Sequence, residues 1–107
     1  MHTPLPRLSH HVLFWLKEPK STAALTALLA AVDGLAAISS VRGIHVGVPA
    51  ATAEDAVVDA SFSVSVILFF DDLEGEALYQ SHPLHQQFIA DNAHLWQRVQ
   101  VYDAAHP

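Results

Sequence analysis

The chain has 107 residues, no cysteine, and a net charge of −6 with its eight histidines neutral. This length suffices for one domain with its own core, and the lack of cysteine excludes disulfides, thiolate nucleophiles and cysteine metal sites. The five lysine and arginine residues are scattered, so we do not expect a nucleic acid partner. No membrane-spanning run and no signal peptide pattern is present, so we predict a cytoplasmic protein without a membrane partner.

The composition also favours self-association. Hydrophobic residues make up 51% of the chain and charged residues 15%. A small domain has a large surface for its volume, and so much apolar material is difficult to bury in a monomer. The alternative is an alanine-rich monomer, since alanine raises the apolar count with little surface of its own.

The first half of the chain predicts a strand followed by a helix. Residues 1–7 contain two prolines and predict an extended arm, and Leu8–Leu16 (LSHHVLFWL) predicts the first strand. Ser21 or Thr22 then caps a helix that runs through AALTALLAAVDGLAAI, in which Gly34 marks where it tightens or ends. The apolar positions of this helix recur at helical spacing: Leu25, Leu28, Leu29, Val32, Leu35 and Ala36.

Two strands follow, separated by a loop at 49–57. Val41–Val48 predicts the second strand, with two glycines four residues apart that indicate close approach of another group. Asp59–Phe70 predicts the third, because its side chains alternate strictly. One of its faces is apolar throughout and belongs to the core, whereas the other begins with three serines. The core face consists of Phe62, Val64, Val66, Leu68 and Phe70.

The last third predicts a broken helix and a final strand. A short helix covers Leu73–Tyr79, and Pro83, which cannot continue it, begins a second helix that extends to about Trp96. This second helix is predicted to bury Leu84, Phe88 and Leu95. Val99–Asp103 predicts the last strand.

The order of elements predicts an α+β fold of the ferredoxin-like class. Four strands form an antiparallel sheet with the helices on one face, and the other face keeps apolar residues that need a cover. An identical sheet from a second copy provides that cover, which gives a homodimer through sheet faces and a dimeric α/β barrel. We place the domain at residues 8–103, with terminal arms at 1–7 and 104–107.

The junction between the two short helices carries the candidate catalytic residues. Tyr79, His82 and His85 are three residues apart, but Pro83 breaks the helix between them. His85 lies in a first helical turn, which disfavours an imidazolium, so we expect a neutral imidazole that acts as a general base beside the Tyr79 phenol. The alternatives are a structural role, or a metal site for which further ligands are not evident. His10 lies on an otherwise apolar strand face and is either a structural residue or part of the same cavity.

Five segments resemble the stress-responsive dimeric α/β-barrel (Dabb) family. They are HHVLFWLK, VRGIHVG, DASFSVSVILFFDD, YQSHPLHQQF and WQRVQVYD, which together cover about residues 8–103. The Tyr-x-x-His-Pro-x-His-x-x-Phe junction is the most specific of them. The resemblance implies a homodimer whose two facing sheets form a central barrel.

The resemblance implies a stress-responsive protein of uncharacterised biochemical role, with a semi-polar cavity in each subunit. A plant member of the family is a polyketide cyclase, and its catalytic groups are similar to His85 as base, Tyr79 as hydroxyl donor and His10 as assisting residue. The enzymatic alternative is therefore aldol or proton-transfer chemistry. A second alternative is a haem- or quinone-type oxidative enzyme. We predict no cofactor and no metal, and a small hydrophobic or aromatic ligand in contact with His82, Phe14 and Phe88.

Overall fold

A computed structural model describes residues 4–107; of the predicted arm at 1–7, residues 1–3 lie outside the described residues. Four antiparallel strands form one sheet in the order β2-β3-β1-β4. The strands are β1 (Leu8–Leu16), β2 (Gly43–Gly47), β3 (Val64–Phe70) and β4 (Trp96–Ala105). The α-helices are α1 (Thr22–Asp33), α2 (Leu73–Ser81) and α3 (Pro83–Asn92), with 3-10 turns at Gly34–Ala37 and Ala93–Leu95. This is the predicted ferredoxin-like α+β fold.

One face of the sheet forms the core with the helices. Alternate residues of β1 and β3 are buried on this face, as their two-residue periodicity predicts. The helices contribute Leu28 and Val32 from α1, Tyr79 from α2 and Phe88 from α3. The core residues of the two strands are Leu8, His10, Val12, Phe14, Leu16, Val64, Val66, Leu68 and Phe70.

The opposite face of the sheet is the open face, defined by the odd-numbered residues of β1, β2 and β3. Its apolar members include Leu13 and Ile67, which are partly buried although all the helices pack on the other side. His11 of β1 and His45 of β2 lie on one row of this face, on either side of Ile67. The side chain of Phe69 closely approaches Gly43, where an added Cβ would lie 3.4 Å from the ring.

Local signals set the helix boundaries much as predicted. The Ser21 hydroxyl accepts a hydrogen bond from the Ala24 N–H at 3.1 Å and caps α1. The helix ends at Asp33 and tightens to a 3-10 turn at Gly34. The α2 helix ends at Ser81 because Pro83 cannot continue it, and Pro83 occupies the first position of α3. The predicted break in the helix is therefore confirmed.

Several boundaries in the second half differ from the prediction. β3 begins at Val64 rather than Asp59, because the Asp59 carboxylate accepts a hydrogen bond from the Ser61 N–H and holds this segment in a turn. The α3 helix ends at Asn92, whose side chain donates to the Phe88 carbonyl, and Trp96 already belongs to β4.

Another difference concerns Leu84, which is predicted to be buried but is 45% exposed. It lies over a shallow groove against the end of α1, where the facing residues include Ala31 and Gly34. These are too small to cover a leucine side chain.

The final strand is twice as long as the predicted Val99–Asp103. It pairs with the whole of β1, and Ala104 and Ala105, predicted in the terminal arm, are its last two residues. Among residues 4–107, no helix is long and apolar enough to cross a lipid bilayer.

Candidate active site: a cavity at the helix junction

A cavity of about 220 Å³ lies between the core face of the sheet and the junction of α2 and α3. Its walls are mostly apolar, and three polar rings reach it from different elements. Edge strand β4 borders it through Val99 and Val101, which are each more than one third exposed. The lining residues are His10, Val12, Phe14, Val32, Leu35, Val66, Leu68, Tyr79, Gln80, His85, Phe88, Ile89, Trp96, Val99 and Val101.

The structure brings together the three residues predicted to be catalytic. The Tyr79 ring lies between the two imidazoles, with its centroid 4.7 Å from that of His85 and 5.7 Å from that of His10. Each comes from a different element: His10 from β1, Tyr79 from the last turns of α2, and His85 from the first turn of α3. The break at Pro83 makes this possible. It places Tyr79 and His85 on two different helices, so that each side chain can approach the cavity from its own helix.

A carboxylate holds the buried imidazole of His10. The Asp103 Oδ1 atom lies 2.5 Å from His10 Nδ1, across the β1–β4 ladder where the two residues are directly paired. His10 is 4% exposed, whereas the Asp103 side chain is 55% exposed on the edge strand. A hydrogen bond to one ring nitrogen fixes the orientation of the imidazole, so the rest of the His10 ring faces the cavity in a defined position.

The electrostatics favour a neutral imidazole and a protonated phenol. Burial lowers the pKa of His85 below its ordinary 6.5, and the nearby His10 lowers the pKa further, while the Gln80 backbone and the Glu76 charge oppose this. Burial raises the pKa of Tyr79 well above its ordinary 10.0, and Glu76 adds to the effect. The lowered pKa of His85 agrees in direction with the sequence-based expectation, but its main cause is desolvation rather than the helix amino terminus.

The other end of the cavity is aromatic. The Phe14 and Trp96 rings are 4.8 Å apart, and the Phe88 and Trp96 rings are stacked at 5.8 Å. Phe14 and Phe88, which we predicted as binding residues, therefore line the cavity together. Trp96 also lines it.

His82, the third predicted binding residue, lies outside the cavity, at the start of α3. Its Nδ1 atom accepts a hydrogen bond from the Leu84 N–H at 3.0 Å, which makes His82 the cap of α3. It is absent from the cavity lining. Within residues 4–107, no group of three or more histidine or acidic side chains is arranged to hold a metal ion.

Sequence analysis did not identify Asp103 as a site residue. The signal was present, since Asp103 follows two alternating apolar residues of β4, Val99 and Val101. Only the register of β4 against β1 shows that this carboxylate faces His10, and that register was not evident from either strand alone.

Comparisons with known proteins agree with this fold. The sequence profile of the family described as Stress responsive A/B Barrel Domain matches residues 8–105. No curated protein sequence matches the chain significantly.

Several solved structures share the fold at low sequence identity. A dimeric ferredoxin-like protein of unknown function from Thermobifida fusca is 19% identical, with a TM-score of 0.73 over 98% of this chain and 95% of that one. A ferredoxin-like protein of the Dabb family from Mesorhizobium loti is 20% identical, with a TM-score of 0.77 over 94% of this chain and 96% of that one. A hydroxynitrile lyase from Passiflora edulis is 15% identical, with a TM-score of 0.78 over 97% of this chain and 96% of that one.

Proposed function

The chain belongs to the stress-responsive A/B barrel domain family, and we propose that it is an enzyme that transfers protons to and from a small, neutral carbonyl compound. One observation carries the proposal: a cavity of about 220 Å³ is lined by a partly buried imidazole, a phenol and a second, carboxylate-bound imidazole. Three polar rings converging in a mostly apolar cavity are the arrangement expected of a catalytic site rather than of a filled core.

In this proposal His85 is the general base. Its imidazole accepts a proton from the carbon next to the substrate carbonyl, and the electron pair of the broken C–H bond moves to the carbonyl oxygen. Tyr79 donates a hydrogen bond to that oxygen, which its raised pKa allows because the phenol keeps its proton. His10, oriented by Asp103, assists at the same oxygen. The imidazolium of His85 then returns the proton to the product.

The walls of the cavity support a neutral substrate. No lysine or arginine is among the lining residues, so nothing there would compensate a carboxylate or phosphate group. The aromatic end formed by Phe14, Phe88 and Trp96 suits an apolar or aromatic substituent. That one protein of this fold is a hydroxynitrile lyase is consistent with a fold that can carry chemistry on small organic compounds.

The experiment is hydrogen–deuterium exchange at the carbon next to a carbonyl. Purified protein is incubated in D2O with a panel of small neutral ketones, beginning with acetophenone, and loss of the proton signal is followed by NMR. We expect exchange above the buffer rate, reduced about 10²–10⁴-fold in His85→Asn and about 10²–10³-fold in Tyr79→Phe. His82→Asn is the matched control, since asparagine also caps helices and His82 lies outside the cavity.

Two results would count against the enzyme. One is that no ketone of the panel exchanges faster than in buffer. The other is that His82→Asn loses as much activity as His85→Asn, which would show that the loss comes from damage to the helix junction.

We also propose that the protein is a cytoplasmic homodimer that pairs through the open face of the sheet. Leu13, Ile67 and Phe69 lie on this face, and none of the helices formed by residues 4–107 packs there to bury them. The related protein from Thermobifida fusca is described as dimeric. Ile67→Lys places a charge at the centre of the face and should give a monomer in sedimentation velocity. Val57→Lys, in a loop where the side chain is 88% exposed, should leave the dimer intact; a monomeric parent protein would refute the assembly.

A further inference from the structure

Glu76 is a half-buried acidic residue that the site described above does not use. It lies in the first turn of α2, three residues before Tyr79 and therefore on the same side of the helix. Its Oε2 atom is buried, and among residues 4–107 no N–H or O–H group donates a hydrogen bond to it. Glu74, in the same helical turn, is exposed.

A buried carboxylate oxygen without a hydrogen-bond donor lowers the stability of the fold, because its lost hydration is not replaced. The helix does not require Glu76 for capping, because the Asp72 side chain already accepts the Gly75 N–H at 2.8 Å. The burial of the Glu76 carboxylate is therefore not explained by hydrogen bonding or by capping of α2. Its position near Tyr79 offers an explanation.

The neighbours of His85 come from three elements. Tyr79 of α2 packs against its ring, and Glu76 lies three residues earlier on the same side of that helix. His10 of β1, itself bound to Asp103 of β4, lines the same cavity. Within this group Glu76 acts on both reacting rings: its charge raises the pKa of His85, against the effect of burial, and raises that of Tyr79. The negative charge of Glu76 therefore favours the protonated form of each ring.

We propose that Glu76 is the electrostatic positioning residue of this site, whose carboxylate stabilises the imidazolium that forms on His85 when the substrate loses its proton. The inference rests on the proposed function, because it assigns Glu76 to the same proton transfer. At that step the C–H bond has broken, the proton is on His85, and the electron pair is on the substrate oxygen that Tyr79 contacts. The site then holds a new positive charge in an apolar cavity, and the charge of Glu76 compensates it without touching the substrate.

The decisive experiment is an NMR titration of the free protein, which does not depend on turnover. The His85 ring signals are assigned by their loss in His85→Asn, and the titration midpoint is compared between the parent protein and Glu76→Gln. The variant keeps the shape of the side chain and removes the charge, so the midpoint should move to lower pH. Glu74→Gln is the matched control, since it removes an exposed charge from the same turn and should leave the midpoint nearly unchanged.

A second variant separates charge from packing. Glu76→Asp keeps the charge on a shorter side chain, and its midpoint should lie between those of the parent protein and Glu76→Gln. Equal midpoints for the parent, Glu76→Asp and Glu76→Gln would overturn the role of Glu76, as would an equal shift in Glu74→Gln. If the expected shifts occur but no ketone exchanges, the electrostatic role stands and the proposed reaction fails. If exchange depends on His85 but the midpoints do not move, only the inference about Glu76 fails.

Discussion

The pairing of His10 with Asp103 gives the sharpest test of how this site is held together. Asp103→Ala removes the carboxylate that binds a ring only 4% exposed, and so leaves His10 Nδ1 buried without its acceptor. Such a group costs about 1–3 kcal/mol. Because the Asp103 side chain is 55% exposed, water can replace part of the bond, and we expect a loss in the lower half of that range, about 1–2 kcal/mol.

A second ion pair in the same protein provides the control. Arg42 Nε donates to Asp71 Oδ2 at 2.8 Å, but the two side chains are 47% and 59% exposed. Exposed pairs of this kind contribute about 0–1 kcal/mol. Asp71→Ala and Asp103→Ala both remove an aspartate carboxylate. They differ in that the partner of Asp103 is buried, whereas the partner of Asp71 is exposed.

The assay is urea unfolding followed by circular dichroism, at one fixed protein concentration because a dimer is stabilised by mass action. With a slope of about 1–1.5 kcal/mol per molar urea, Asp103→Ala should lower the midpoint by roughly 1 M. Asp71→Ala should change it by a fraction of that. If the two variants lose the same free energy of unfolding, burial of His10 does not make its carboxylate partner important, and the reasoning about the site fails.

Three further predictions concern the fold and its pH dependence. His11 and His85 both have a pKa lowered from 6.5 in the folded protein, chiefly by burial. As the pH falls, these two histidines are therefore protonated at a higher pH in the unfolded chain than in the folded protein. The free energy of unfolding, measured by urea at several pH values, should therefore fall as the pH falls from about 7 through 6.5 to the folded pKa values, and a flat profile would contradict this. Phe70→Ala, at 0% exposure, should cost about 3–5 kcal/mol in the same assay; a loss below about 1 kcal/mol would contradict the core assignment. Ser21→Ala should cost about 1 kcal/mol by removing the α1 cap, whereas an unchanged midpoint would show that the cap contributes nothing.

The parts of the fold that sequence predicts are those with strong local signals. Strict alternation of side chains in β3 predicts which of them enter the core, since every second residue of a strand faces the same way. Pro83 predicts the helix break because its ring excludes a continuing helix. Leu84 is the counterexample: four residues before Phe88, it has the right spacing for the core, but the facing part of α1 contains Ala31 and Gly34. Burial depends on the neighbour as well as on the periodicity.

The candidate site is less predictable because it depends on contacts between distant segments. Tyr79 and His85 are close in sequence, and their proximity follows from the helix junction. The position of His10 beside Tyr79 depends on how α2 packs on β1. The addition of Asp103 depends on the register of β4 against β1 across 93 residues of sequence. No local pattern fixes that register. Glu76 is also invisible to pattern analysis, since an acidic residue in a first helical turn is ordinary and only its burial makes it unusual.

The same break that allows the site also explains why a cavity exists at this place. A continuous helix from Leu73 onward would carry one apolar stripe across the sheet and leave no room above β1 and β4. Because Pro83 interrupts it, α2 presents Tyr79 and α3 presents His85 to the same point. The edge strand β4 beside that point is partly exposed at Val99 and Val101. The cavity wall and the candidate catalytic groups therefore depend on the same break, so a change that restored a continuous helix should affect both together.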